Sequence, residues 1–148
     1  MDVTKHNLLL ADDDVDDCIL FKEALEDLGL TSNLITVNNG VELMKLLTAD
    51  TDNLPDVLFL DLNMPLKTGN ECLVEIKRNK ELKDLPVVVF STSFDDRVVN
   101  TLYETGAHYY VRKPNEFSKL KQVIYNALLL VSKTYKKQPD KESFVLNI

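Results

Sequence analysis

Three aspartates in a row, Asp12-Asp13-Asp14, follow directly on the apolar run Leu8-Leu9-Leu10-Ala11. A fourth, Asp61, ends a second such run, Val57-Leu58-Phe59-Leu60. Hydroxyls close a third, where Ser91-Thr92-Ser93 follows Val87-Val88-Val89-Phe90, and Lys113 comes soon after a fourth, Tyr109-Tyr110-Val111. Carboxylates brought together repel, and each is harder to ionise than alone unless a cation sits among them. Oxygen ligands of that charge density suit Mg²⁺, which keeps several waters and takes one or two carboxylates plus a phosphate oxygen. An ammonium from Lys113 and a hydroxyl from Ser91 would then meet other oxygens of a phosphoryl group. Such parts match phosphoryl transfer, in which catalysis is largely positioning and charge neutralisation. No His, Lys or Arg is placed as a general base, and no Gly-rich phosphate loop accompanies the set. The simplest chemistry is attack on phosphorus by Asp61 itself, giving an aspartyl phosphate.

That chemistry requires four distant segments to end at one place. Short apolar runs that do not alternate read as strands buried on both faces. Strands are expected over residues 7–11, 33–37, 56–61, 87–90 and 109–111, with helices over about 15–28, 40–49, from 68–69 onward, from 95–96 to Gly106, and 116–135. An Asp suits the start of the first helix, and Gly29 its stop. The expected inward faces are Cys18, Phe21, Leu25 and Leu28; then Val41, Met44 and Leu47; then Val98, Val99 and Leu102. Strands alternating with helices imply an α/β fold, a parallel sheet covered on both faces and joined by right-handed crossovers. All strand carboxyl ends then share one edge, where ligands bind in open sheets of this kind.

With 148 residues the chain is expected to form one domain over 1–135, followed by a tail over 136–148 and no separate effector domain. The end of that tail, Phe144-Val145-Leu146, is too apolar for a plain solvated segment. A net charge of −7 argues against a nucleic-acid surface and against an acidic membrane. No apolar run approaches a transmembrane length, and no signal peptide is evident, so a cytoplasmic protein is expected. Cys18 and Cys72 share no metal spacing and read as reduced core thiols.

Taken in order, these segments resemble the receiver domain of bacterial two-component response regulators, over residue 7 to about 135. The resemblance rests on Leu8 to Asp14, on Asp61-Leu62-Asn63-Met64-Pro65 with Gly69 eight residues after Asp61, on Ser91-Thr92, and on Tyr110 with Lys113-Pro114. It implies a flavodoxin-like doubly wound (βα)5 three-layer sandwich with sheet order 2-1-3-4-5. It further implies Asp61 as phosphoacceptor and Asp13 as direct Mg²⁺ ligand, with Asp12 holding metal-bound water and the Asn63 backbone carbonyl completing the protein's share. Lys113 would pair with the acyl phosphate, Ser91 would bond a phosphoryl oxygen beside Thr92, Tyr110 would rotate toward the space vacated, and Pro114 would be cis. The change would be a population shift driven by an added charge of about −1.5 to −2.

Some positions depart from the family's habit. Ser91 stands where Thr is commoner, and Thr92 where Ala or Gly is frequent, so a bulkier side chain would narrow the water path and lengthen the phosphoryl lifetime. Thr68 precedes Gly69 where an acid or Ser is frequent, a change expected to be neutral. Implied partners are a sensor histidine kinase, of hybrid or phytochrome type, and a downstream protein. A homodimer through the fourth helix, fifth strand and fifth helix is the further expectation. The competing readings are a pseudo-receiver that binds partners without taking phosphate, and a haloacid-dehalogenase-type phosphatase. The first would normally have lost Asp61, Asp13 or Lys113; the second wants Asp-x-Asp after its first strand.

Overall fold

The structure, a computed structural model, describes residues 6–30, 33–134 and 137–146. Strands and helices alternate: β1 (Asn7–Ala11), α1 (Val15–Asp27), β2 (Asn33–Val37), α2 (Gly40–Ala49), β3 (Val57–Leu60), α3 (Gly69–Arg78), β4 (Val87–Ser91), α4 (Asp96–Thr105), β5 (Tyr109–Arg112) and α5 (Phe117–Thr134). A 3-10 turn at Lys141–Ser143 then leads into β6 (Val145–Leu146). All ladders are parallel, and the sheet runs β2-β1-β3-β4-β5-β6. The five-strand order expected from the sequence is present, with one strand added at the β5 edge. The fold is α/β and flavodoxin-like.

The period of two along the central strands divides the core into two layers. Leu9, Ala11, Leu58, Leu60, Val87 and Val89 face one side with Leu43, Leu47, Cys72 and Ile76. Leu8, Leu10, Phe59 and Phe90 face the other with Phe21, Leu25, Ile124 and Leu128. Phe21, Phe59 and Phe90 meet edge to face, with ring centroids 4.9 to 6.3 Å apart, each pair adding about 0.5–1.5 kcal/mol beyond its buried area. Both cysteines are buried and unpaired, and burial pushes each thiol up to about 11, so both stay protonated in the core.

Two helix faces differ from expectation. In α2 the buried residues are Gly40, Leu43 and Leu47, while Val41 and Met44 are half-buried. Gly40 sets this rotation: a Cβ there would lie 2.2 Å from the Lys67 carbonyl oxygen and 2.8 Å from Cys72 Sγ, so the helix meets its neighbour through the glycine. In α4, Val99 and Leu102 are buried but Val98 is exposed, because adjacent helical residues lie about 100° apart and only one can face the sheet. The expected end of the last helix at 135 lies outside the described residues.

The segment after α5 is packed onto the domain. Phe144 is 1 % exposed and joins the core layer of α2, α3 and α4. Its carbonyl accepts from the Tyr110 amide at 3.0 Å, and its ring meets those of Tyr103 at 5.1 Å and Tyr110 at 6.5 Å. Tyr103 Oη donates to the Pro139 carbonyl at 2.8 Å, and the Gln138 amide donates to the carbonyls of Tyr103 and Ala107. The Gln138 bonds tie the segment to carbonyls in the last turn of α4 and just beyond it, and β6 occupies the edge that β5 would otherwise leave open.

Candidate functional site

Each strand end holds its residue by backbone bonds. Asp12 N–H donates to the Val37 carbonyl at 3.0 Å, which fixes the chain as it leaves β1, and Asp61 N–H donates to the Ala11 carbonyl at 2.9 Å, which fixes it beyond β3. The three neighbouring acids separate into different tasks. Asp14 caps α1, accepting from the amides of Asp16 at 2.9 Å and Asp17 at 3.2 Å. Asp12 is fully buried, and Asp13 is exposed. Carboxylate oxygens of Asp12, Asp13 and Asp61 lie within 4.8 Å of one another.

The loop behind Asp61 is fixed from both sides. The Leu62 carbonyl accepts from Met64 at 3.2 Å and from Gly69 at 2.9 Å, and Leu66 takes a left-handed φ of 68° at its exposed tip. A Cβ on Gly69 would stand 2.2 Å from the Asp61 carbonyl oxygen and 2.8 Å from Leu62 Cα, atoms that cannot give way. Thr68 starts α3 with a capping box: its hydroxyl accepts from the Glu71 amide while Glu71 accepts from Thr68 N–H. Threonine at this position is therefore well used.

Lys113 crosses to this group from the loop after β5. Its Nζ donates to Asp12 Oδ2 at 2.6 Å and to Asp17 Oδ2 at 2.9 Å, and lies 3.7 Å from Asp61 Oδ2. Burial pulls its pKa down, but the bonds to Asp12 and Asp17 and the charges of Asp12 and Asp61 outweigh this and hold the ammonium above the ordinary lysine value. Burial and the charge and hydrogen bond of Asp12 push Asp61 up to about 6, against the opposing pull of Lys113. Asp61 is thus a carboxylate strained by its neighbours.

This strain has a pH signature. A carboxylate whose folded pKa lies above its unfolded value takes up its proton first in the folded chain, so its contribution to stability improves as pH falls from about 6 to about 4. Asp61→Asn carries no such charge. In the presence of chelator, urea unfolding is expected to show the variant more stable than wild type by about 1–3 kcal/mol at pH 7, with the difference closing by about pH 4.

The remaining expected residues are placed as follows. Ser91 is fully buried at the end of β4, its Oγ 3.1 Å from Ser93 Oγ and accepting from Ser93 N–H at 3.3 Å. Thr92 is exposed and borders a cleft of about 400 Å³ with Arg112, Lys113, Pro114 and Lys119. Asn63 is exposed in the loop after Asp61. Tyr110 is already turned inward at 1 % exposure: Oη donates to the Ser93 carbonyl, and Phe94 meets its ring at 5.8 Å. The rotation expected of Tyr110 therefore has no exposed starting position here, because Phe144 covers its outer side. Pro114 is a correction, since no peptide bond among the described residues is cis. The trans form is the lower-energy state of an X–Pro bond, and it coexists here with the bond from Lys113 N–H to the Ser91 carbonyl at 2.8 Å. Asp17 as a partner of Lys113 was missed. Its position one helical turn after Asp13 in an unusually acidic helix start was the available signal.

Among the described residues no helix is long and apolar enough to cross a membrane. The sequence profile of the response regulator receiver domain matches residues 8–125. Response regulator Rcp1 of Synechocystis sp. is 33 % identical over 121 residues, covering 79 % of this chain and 82 % of that one. A chemotaxis protein CheY homolog of Campylobacter jejuni is 30 % identical over 121 residues, covering 82 % and 91 %. The crystal structure of the phosphorylated cyanobacterial phytochrome response regulator RcpA superposes with a TM-score of 0.76 at 33 % identity, covering 82 % of this chain and 90 % of that one. The Mn²⁺-bound form of Rcp1 gives 0.75 at 29 % identity, covering 90 % and 96 %. The fold, the strand-end acids and this match along most of the chain agree: the protein belongs to the response regulator receiver domain family of two-component signalling.

Proposed function

We propose that Asp61 is the phosphoacceptor of this domain and that its donor is the phosphohistidine of a sensor histidine kinase. The observation that carries this reading is the Asp61 carboxylate at the end of β3, grouped with Asp12 and Asp13 and 3.7 Å from the Lys113 ammonium. In the transfer a carboxylate oxygen of Asp61 forms the new O–P bond, the P–N bond to the donor imidazole breaks, and the imidazole leaves with the electron pair and takes a proton. The domain is a signalling protein that assists its own modification, and its output is the altered surface.

The donor set fits Mg²⁺: hard oxygens, three of them carboxylates, open to solvent through Asp13. Asp13 and Asp61 would hold the ion directly, with the Asn63 carbonyl, and Asp12 through water. When bound, the ion offsets the carboxylate charges and those of the phosphoryl oxygens. Lys113 supplies the second positive charge. Ser91 exchanges its bond with Ser93 for one with a phosphoryl oxygen, and that exchange loosens the Ser93 carbonyl from Tyr110. The switch is then a change of partners in the Ser91–Ser93–Tyr110 chain, with Thr92 at the rim slowing the approach of water. A relative solved in phosphorylated form and another solved with Mn²⁺ support the chemistry.

The kinase is proposed to be of phytochrome or hybrid type, since solved structures 29 to 33 % identical to this chain carry phytochrome response regulator names. The protein is placed in the cytoplasm with such a kinase. A homodimer on the α4–β5–α5 face would have to include Phe144 and β6, which cover the β5 edge. The test is intact-protein mass after incubation with Mg²⁺ and acetyl phosphate. One phosphoryl group is expected on wild type and none on Asp61→Asn; the same mass gain in both proteins, or none in either, overturns the assignment.

A further inference from the structure

The contact between Lys113 and Asp17 has no task in the reading above. We propose, on the basis of that reading, that Asp17 is a positioning residue for Lys113: its carboxylate keeps the ammonium over the mouth when Asp12 turns to a cation.

The argument begins with donors. An ammonium has three N–H groups. Two of those on Lys113 go to Asp12 and Asp17, at 2.6 and 2.9 Å, while Asp61 at 3.7 Å lies beyond hydrogen-bond length. Two anchors thus fix the nitrogen and leave one N–H for the group that Asp61 would carry.

The two anchors differ in their other obligations. Asp12 is fully buried and both its oxygens are engaged, Oδ1 by the Asp14 amide at 3.0 Å and Oδ2 by Lys113. It also belongs to the three-carboxylate group. A cation there draws on the same carboxylate that holds Lys113. Asp17 lies outside that group, on α1, with its side chain 32 % exposed. Its hold on Lys113 is not disputed by the ion. With Asp17 present Asp12 can yield to the cation without releasing the lysine. Without it, metal binding and lysine positioning compete for Asp12.

An acid in the first turn of α1 also suits the helix dipole. Asp16 serves that purpose equally: it is exposed, adjacent, in the same turn, and does not bond Lys113. Asp16→Asn is therefore a control with the same change of charge.

Phosphoryl uptake from acetyl phosphate would be measured at saturating Mg²⁺ over a range of donor concentrations, for wild type, Asp17→Asn, Asp17→Glu and Asp16→Asn. Mg²⁺ affinity would be measured separately, without donor, from the amide NMR shifts of Asp13 and Asp61. Asp17→Asn is expected to lose about tenfold in maximal rate, the scale of a small misplacement, with the half-saturating donor concentration little changed. It is also expected to bind Mg²⁺ several-fold more weakly. Asp17→Glu recovers most of both, and Asp16→Asn stays close to wild type. The inference is overturned if Asp17→Asn matches Asp16→Asn, or if it exceeds wild type in rate. A wild type that takes no phosphoryl group sinks the assignment of Asp61 instead, and the Mg²⁺ titration then judges Asp17 alone: unchanged affinity in Asp17→Asn overturns it.

Discussion

Lys113→Met is expected to lower the stability of the folded domain by about 3–5 kcal/mol at pH 7, the cost of removing one partner from a buried ion pair. The lysine side chain is 9 % exposed, and Asp12, at 2.6 Å, is fully buried. Methionine matches the stem but takes the ammonium from the Asp12 carboxylate, which keeps the Asp14 amide and its contact with Asp61. Asp61 loses the charge that most opposes its upward shift, and Asp17 loses a bond. The sign with pH follows from the elevated lysine pKa. The pair's contribution is complete below the ordinary lysine value and fades only as pH rises through the higher folded value, so it is fully present at pH 7. In the variant the penalty shrinks toward acid, because Asp61 is relieved by protonation. Urea unfolding of Lys113→Met, Asp12→Asn and the double variant tests this. The double variant should recover much of the loss, since removing both partners leaves no charge unpaired. A single variant within about 1 kcal/mol of wild type would show that the ammonium acts as a surface charge. Phosphoryl uptake is expected to fall with it, but the stability readout does not depend on that chemistry.

The residues legible in the sequence were those whose position follows from strand ends. A buried run that stops at an acid places that acid at the carboxyl edge, and the right-handed crossover rule then gathers Asp12, Asp13, Asp61, Ser91 and Lys113. Topology suffices for this, and no pair distance is needed. What the topology leaves open is which side chain satisfies which. Asp17 was hidden because an acid in a first helical turn already has a sufficient explanation in the helix dipole. Only the position of Lys113, which depends on the path of the loop after β5, reveals the second use. Tyr110 was legible as an aromatic at the edge, but its inward state depends on Phe144, 34 positions later in the chain.

Helix faces were lost for a related reason. The α2 pattern admits two apolar stripes that share the buried Leu47, one through Val41 and Met44 and one through Leu43. The choice falls to Gly40, whose missing side chain permits backbone approach to Lys67. A glycine before an apolar run signals such an approach only once the neighbour is known. The C-terminal segment was legible as apolar and not as a strand: Val145–Leu146 is too short for any periodicity, and its pairing follows from the open β5 edge beside it.

Phe144→Ala is expected to detach that segment. Truncating a fully buried phenylalanine costs about 3–5 kcal/mol where the surroundings cannot collapse. Here the residue anchors a short terminal element held otherwise by two β6 residues, the Gln138 amide and the Tyr103–Pro139 bond. Local opening therefore becomes cheaper than keeping the cavity, and the loss should appear as fraying of residues 137–146 before global unfolding. The reporter is the Tyr110 amide, which donates to the Phe144 carbonyl at 3.0 Å. Its hydrogen exchange should quicken by orders of magnitude, toward the rate of an open strand edge, while amides of β1 and β3 keep their protection. Tyr103 and Tyr110 would lose the ring that covers them, so the α4–β5 face of the variant should also become more apolar and more prone to self-association. A Tyr110 amide that stays protected in Phe144→Ala would mean that backbone pairing alone holds the strand, and that the aromatic contacts contribute packing without governing access to the face.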